Sequence, residues 1–264
     1  MGDFRFKEFS VRQDYSAMKV NSDSVLLGAW TTVPSMNEIN VLDIGTGTGL
    51  IALMIGQRCS KLDIKGNISG VEIDELSIRD AEYNFKNVAF KNVSFNLIRG
   101  AVQQMERENA YKERFNLIIS NPPYFINSLQ SGENSKDRAR HTDSLSQGDL
   151  IKSVFYMLKP GGIFALILPI AEGELFLNKM EFVSKIRRDR GESSIIMRRY
   201  CEVFTTIKKG AKRVLLEFEL SNIETPTGKE KYSIEKQKER LILSNNEEYL
   251  PEYKTLTKDF YLSF

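Results

Sequence analysis

Cysteine and histidine are nearly absent. The 264 residues hold two cysteines, Cys59 and Cys201, and a single histidine, His141. With no CxxC pair and no second imidazole, neither a disulfide framework nor a Cys/His zinc site can be assembled, and no metal is expected. The three-cysteine cluster that a radical enzyme needs for its iron–sulfur centre is missing too. Long apolar runs are also lacking. The longest, Ile163 to Ile170, falls far short of the roughly 20 residues that cross a bilayer. The N-terminal stretch MGDFRFKEFS has no apolar core of the secretory type. The reading is a soluble, cytoplasmic protein without internal repeats or low-complexity segments, and with no obligatory protein partner in evidence.

What the chain does have is an uneven charge. The formal total is +2, but between Val183 and Arg213 ten Lys/Arg stand against three acids, an excess of seven that leaves the remainder near −5. Such a stretch is either a solvated surface or the footprint of a phosphate-rich partner.

The middle of the chain alternates between two periodicities. Asn40–Ile44, Gly66–Ile73, Val93–Ile98, Phe115–Ser120 and Ile163–Leu168 are short apolar runs rich in branched residues, the pattern of strands buried on both faces. Leu50–Arg58, Glu75–Asn87, Gln147–Leu158 and Glu172–Asp189 have helical spacing, and Lys159-Pro160-Gly161-Gly162 ends one helix and opens the next strand. Strands separated by crossover helices imply a parallel sheet, so the class is α/β. Ser193–Tyr200 and Arg213–Leu220 follow with no long helix between them, as a short antiparallel pair at the sheet edge would. Residues 1–38 form an N-terminal extension with a helix at Asp23–Trp30. Residues 39–221 form the core. Residues 222–264 add two short segments, Tyr232–Glu235 and Arg240–Leu243, and an aromatic helix ending at Phe260-Tyr261-Leu262.

Val41-Leu42-Asp43-Ile44-Gly45-Thr46-Gly47-Thr48-Gly49-Leu50 is a strand running into a glycine-rich turn and then a helix. Glycines belong where backbone must visit positive φ and approach a ligand closely. The dinucleotide fingerprint G-x-G-x-x-G fits poorly: counted from Gly45 its third glycine falls on Leu50, and counted from Gly47 on Ala52. A phosphate loop ending in GK[ST] is absent. The segment resembles motif I of the Rossmann-like S-adenosylmethionine (SAM) methyltransferases, D-x-G-x-G-x-G. That resemblance implies a Rossmann-like fold with a mostly parallel seven-stranded sheet, an antiparallel edge strand and helices on both faces. It also implies SAM as cofactor. Asp43 would then position the methionine amino group, Gly45 and Gly47 would pass beneath the cofactor, and Glu72, with Ile73 beside it, would take the ribose hydroxyls. Asp74 reads as the cap of the next helix. Many members of the class carry an acid after the third strand for the adenine amino group. Here Ile98-Arg99-Gly100-Ala101 lacks it, which leaves a backbone group near Ala101 to serve.

Asn121-Pro122-Pro123-Tyr124 follows the fourth strand. Adjacent prolines fix φ and carry no N–H, and the residue before proline is held extended. The result is a stiff loop with free carbonyls. An amino group conjugated to a ring is a poor nucleophile, because its lone pair is delocalised. The Asn121 side-chain oxygen and the Pro122 carbonyl can each accept one N–H, draw the nitrogen toward tetrahedral geometry and free the lone pair for attack on an electrophilic methyl. Tyr124 offers a face for an extruded base. The catalytic candidates are therefore Asn121, Pro122, Pro123 and Tyr124, with Asn121 also a candidate cofactor contact and Tyr124 a substrate contact. This tetrapeptide alone leaves open adenine-N6 transfer to DNA or RNA, guanine-N2 transfer to ribosomal RNA, and glutamine-N5 transfer to a release factor.

The ends of the chain narrow the choice. Phe6-Lys7-Glu8-Phe9, Ala17-Met18-Lys19-Val20, Asp23, Leu26-Leu27-Gly28-Ala29-Trp30, Leu117–Tyr124, Ala139-Arg140, Arg213-Val214-Leu215-Leu216, Tyr253-Lys254-Thr255-Leu256-Thr257 and Phe260-Tyr261-Leu262 together resemble the bacterial tRNA1(Val) (adenine-37-N6)-methyltransferase family. The resemblance implies a substrate adenine just 3′ of the anticodon in a valine tRNA, with the N-terminal extension over the SAM and substrate pocket. Lys19 would meet a substrate phosphate or the methionine carboxylate, or else pair with Asp23 one helical turn on. Ser22 and Asp23 would cap the helix and touch the cofactor, or act as a cap alone. Arg138 and Arg140, in the loop after Tyr124, would grip RNA. Arg198, Arg199 and Lys212, within the basic stretch, would follow the tRNA backbone. The aromatics Tyr249, Tyr253, Phe260 and Tyr261 read as packing residues, and His141 as an ordinary surface residue.

Overall fold

Unbroken apolar runs such as Leu117-Ile118-Ile119 and Phe164-Ala165-Leu166-Ile167-Leu168 leave the central strands apolar on both faces, and the sheet is covered accordingly. The structure, a computed structural model, describes residues 2–123, 145–221, 238–245 and 247–264. Among them the strands are β1 (Phe4–Arg5), β2 (Ser10–Val11), β3 (Glu38–Ile44), β4 (Lys65–Glu72), β5 (Val93–Arg99), β6 (Phe115–Ser120), β7 (Leu158–Pro169), β8 (Ile195–Thr206), β9 (Arg213–Leu220) and β10 (Lys238–Ser244). The helices are α1 (Ser22–Trp30), α2 (Leu50–Lys61), α3 (Glu75–Lys86), α4 (Val102–Met105), α5 (Gln147–Met157), α6 (Ile170–Asp189) and α7 (Pro251–Thr257). None of the described helices is long and apolar enough to cross a membrane.

Strands β3 to β10 form one sheet in the order β10-β8-β9-β7-β6-β3-β4-β5. It is the α/β sheet expected, with two corrections. It has eight strands rather than seven, because Lys238–Ser244 pairs in parallel with Tyr200–Thr206 and becomes the edge. The strand that runs against the others, β9, is interior, antiparallel to both β7 and β8. The expected 193–200/213–220 hairpin is present, but it is not the sheet edge. Tyr232–Glu235 lies outside the described residues, and the C-terminal helix ends at Thr257, short of Phe260.

Alternation directs Leu42, Ile44, Ile118, Phe164, Leu166 and Leu168 to one face, where they meet α5 and α6 through Leu150, Ile151, Val154, Phe176 and Met180. It directs Ile39, Val41, Leu117, Ile119, Ile163, Ala165 and Ile167 to the other, against Leu26, Leu27 and Trp30 of α1 and Ile51, Ala52 and Ile55 of α2. Each fully buried aliphatic side chain there contributes about 1.5–3 kcal/mol. A third cluster joins the chain ends. Phe6, Phe9 and Val11 pack with Leu53, Met54 and Phe260, while the Lys7 N–H donates to the Phe260 carbonyl at 2.8 Å and Lys7 Nζ donates to the carbonyls of Lys258 and Phe264, both at 2.6 Å. Tyr253 and Phe260 are buried, as the packing reading of the C-terminal aromatics expects, and the half-exposed Tyr249 lies on Tyr253 with ring centroids 4.9 Å apart.

Candidate active site

The carboxyl ends of β3, β4 and β6 meet at one edge of the sheet, and their loops are tied together. Ser120 Oγ donates to the Ile44 carbonyl at 3.0 Å, and the N–H groups of Gly45 and Thr46 donate to the Val71 carbonyl at 2.9 and 3.1 Å. Gly45, Gly47 and Gly49 all have positive φ, at 69°, 56° and 82°. A Cβ built on Gly45 or Gly47 would meet nothing within 4 Å, whereas one on Gly49 would stand 2.5 Å from the Phe85 ring. The first two glycines therefore line open space, and the third lets α2 close onto the chain beneath.

Asp43 lies at the root of this loop and is 1% exposed. Its Oδ2 accepts from Thr46 Oγ1 at 2.7 Å and from the Ala52 N–H at 3.2 Å. Oδ1 is buried with no partner among the described residues. Burial pushes the carboxyl up to about 7, against the pull of those two hydrogen bonds. A buried carboxylate oxygen left unpaired beside an open glycine turn is an acceptor awaiting a donor.

Glu72 ends β4. Its Oε1 accepts from the Ile73 and Asp74 N–H groups at 2.8 and 2.9 Å, and its Oε2 from the Gly47 N–H at 2.9 Å. A carboxylate has about four acceptor positions, so three donors leave one, on Oε2. Glu72 thus clamps the glycine loop as well as bordering it. Ile73 is 45% exposed beside it. Asp74 caps α3, as expected, accepting from the Ser77 N–H at 2.8 Å. Gly100 donates its N–H to the Glu72 carbonyl at 2.8 Å, and Ala101 is the extended residue that opens α4.

Asn121 is half-buried, Pro122 buried and Pro123 exposed. Asn121 Nδ2 donates to Ser24 Oγ at 3.0 Å, a contact with the N-terminal extension that no local pattern announces. Ser24 is in turn held by the helix cap, which is Asn21: its Oδ1 accepts the Ser24 N–H at 2.9 Å. The cap expected at Ser22 or Asp23 is therefore one residue earlier or more, and Ser22 is simply the first, exposed residue of α1. Asp23 pairs with Arg213 (Oδ2 to Nε 2.6 Å) rather than with Lys19, whose Nζ donates to the carbonyls of Gln13 and Asp14. The extension is also anchored on α3, where the buried Asp80 accepts the N–H groups of Tyr15 and Ser16 and the Ser16 hydroxyl at 2.7–2.9 Å. Asn84 spans Arg12 and the Thr48 carbonyl. Asp80 and Ser24 both escaped sequence reasoning, since each acts on a segment dozens of residues away.

Arg198 pairs with Glu219. Arg199 stands 3.9 Å over the Trp30 ring and donates to Glu239 at 2.8 and 3.0 Å and to the Trp30 carbonyl at 2.9 Å. In register it faces Glu217, four residues and roughly 13 Å along β9 from Arg213. Lys212 is exposed at the site edge. Tyr124, Arg138, Arg140 and His141 lie outside the described residues.

A model of the "Methyltransferase domain" family matches residues 35–239. A tRNA1(Val) (adenine(37)-N6)-methyltransferase of Photobacterium profundum is 35% identical over 98% of each chain. The chain belongs to this family. In solved structures the fold is similar to that of a predicted O-methyltransferase from Agrobacterium tumefaciens, with TM-score 0.59 and 14% identity over 90% of this chain and 96% of that one. It is also similar to that of a putative class I S-adenosylmethionine-dependent methyltransferase from Listeria monocytogenes, with TM-score 0.54 and 20% identity over 83% and 62%. Within the tRNA1(Val) (adenine(37)-N6)-methyltransferase family, the Lys19–Asp23 segment that the resemblance placed beside the pocket is here tied to Arg213 through Asp23, and the next residue, Ser24, is tied to Asn121.

Proposed function

We propose that this chain transfers a methyl group from SAM to the exocyclic N6 of adenine 37 in tRNA1(Val), beside the anticodon. Family membership supports the substrate, and the loop geometry supports the chemistry. When bound, SAM supplies a methyl group made electrophilic by its sulfonium. The residues present suit it: an open glycine turn at Gly45 and Gly47, the unpaired buried Oδ1 of Asp43 for an ammonium, and the remaining acceptor position of Glu72 for a hydroxyl. Ile73 would border the cofactor beside Glu72, and the Ala101 backbone would replace the missing acid.

The observation that carries this reading is the orientation of Asn121. Its amide nitrogen is spent on Ser24 Oγ, so Oδ1 remains an acceptor with no donor among the described residues. Oδ1 and the Pro122 carbonyl would each take one N–H of the adenine amino group and localise its lone pair, while Tyr124 would stack on the base. No base is needed before transfer, because the proton leaves only once the nitrogen is cationic. Positioning and fixed dipoles supply the acceleration. Incubation with labelled SAM and unmodified tRNA, followed by nucleoside mapping, should place one methyl on N6 of adenine 37. Asn121→Ala should lower kcat by about 100-fold or more, by analogy with loss of one fixed transition-state hydrogen bond, and leave SAM affinity within about twofold. RNA left unmodified while a release-factor glutamine gains the methyl would overturn the proposal.

A further inference from the structure

The basic stretch 183–213 is continuous in sequence but not in space. Helix α6 starts at the site edge, right after β7, and its 20 residues carry the chain back across the sheet, about 30 Å at 1.5 Å per residue. Lys185, Arg187, Arg188 and Arg190 therefore lie at the opposite edge, where Arg187 is taken up by Glu192, the Ser193 carbonyl and the Phe155 ring. Strand β8 then returns, passing Arg198 and Arg199 at mid-sheet. The β8–β9 turn, residues 207–212, comes out at the edge where β3, β4 and β6 end, since Arg213 pairs with Pro169 and Val203 in register.

Lys208, Lys209 and Lys212 on this turn are exposed, and none forms an ion pair among the described residues. Ile207 beside them is 58% exposed. The turn is linked to the catalytic loop by two short contacts. Arg213 holds Asp23 at 2.6 Å, and the next residue, Ser24, holds Asn121 at 3.0 Å. Three exposed ammonium groups on a hairpin coupled through one helical turn to the reacting-amine acceptor suit phosphates flanking the base in the pocket. Lysine is a compact point charge on a flexible stem and grips phosphate without base specificity.

Building on the tRNA reading, we propose that the β8–β9 turn, through Lys208, Lys209 and Lys212, is the phosphate-binding surface for the RNA strand around the target nucleotide. The distal cluster at 185–190 takes no part. The test measures binding of an unmodified tRNA transcript across 50–300 mM salt by anisotropy, using the full chain, K208A/K209A/K212A, and K185A/R188A/R190A as control. All six positions are exposed. The hairpin variant should bind at least about tenfold more weakly at 150 mM salt, with the slope of log K against log salt reduced by roughly two to three, about one per lost phosphate contact. Its SAM affinity and single-turnover rate at saturating tRNA should be unchanged, and the control should match the parent chain. Equal binding by parent and hairpin variant, or an equal loss in the control, overturns this assignment while leaving methyl transfer to tRNA intact. A parent chain that neither binds nor modifies tRNA overturns the functional reading and this one together.

Discussion

Replacing Asp43 by asparagine separates cofactor binding from the cost of burying a charge. Burial holds the Asp43 carboxyl near 7 in the folded protein, while in the unfolded chain it has the ordinary value of about 3.9. Between these values the folded state keeps a proton that the unfolded state has released. Stability therefore falls as pH rises through this window, and the loss is complete above about 7. Roughly three pKa units at about 1.4 kcal/mol each set the total near 4 kcal/mol, most of the accessible part falling between about pH 5 and 7. The Asp43→Asn variant has no group to titrate at this position. Urea unfolding of ligand-free protein at pH 5, 6, 7 and 8 should show the variant gaining about 2–3 kcal/mol on the parent across that range. SAM titration should show the reverse. The parent binds more tightly as Asp43 ionises and gains a cationic partner, whereas the variant binds at least about tenfold more weakly at pH 8, as for a lost charge-assisted hydrogen bond. Parallel unfolding profiles would mean that the buried carboxylate is already ionised at no cost, and the reasoning would fail.

Ser24→Ala should free the Asn121 amide to rotate. Loss of one hydrogen bond of about 1 kcal/mol predicts a kcat about fivefold lower, with SAM affinity and the KM for tRNA within about twofold, as single-turnover and steady-state kinetics would show; a loss confined to KM would refute the positioning role. Gly47→Ala meets no neighbouring atom, so it should cost only the left-handed backbone, about 1–2 kcal/mol in urea unfolding. Its methyl should nonetheless intrude on the space above the loop and weaken SAM binding. Gly49→Ala, pressed against Phe85 at 2.5 Å, should destabilise the fold by more than Gly47→Ala in the same assay.

Sequence was most informative where the physics is local. The Asp43–Leu50 turn and the Asp74 cap are written in adjacent residues, and the central strands declare themselves by apolar runs between helices. The eighth strand shows in sequence only as the short segment Arg240–Leu243, and its place in the sheet does not show at all. Lys238–Ser244 is short and half charged, and its parallel partner β8 lies across a connection of more than 30 residues, so neither composition nor turn chemistry marks the pairing. The Lys19–Asp23 pairing failed for a simple reason: Lys19 precedes the Asn21 cap, so no helical turn relates the two. Likewise a run of basic residues that descends a helix and climbs a strand cannot be one patch, which only the topology reveals. The Ser24–Asn121 contact, 97 residues apart, leaves no trace in either neighbourhood.

The clasp between Lys7 and the carbonyls of residues 258, 260 and 264 has a consequence for biosynthesis. The segment that reaches Asn121 emerges from the ribosome early, yet the aromatic cluster that seats its first turns includes Phe260 and Tyr261. A nascent chain can lay down the whole of β3 to β6 and still lack the foothold for residues 4–9. Competence for methyl transfer should thus arrive in a single late step, when the two extremities meet.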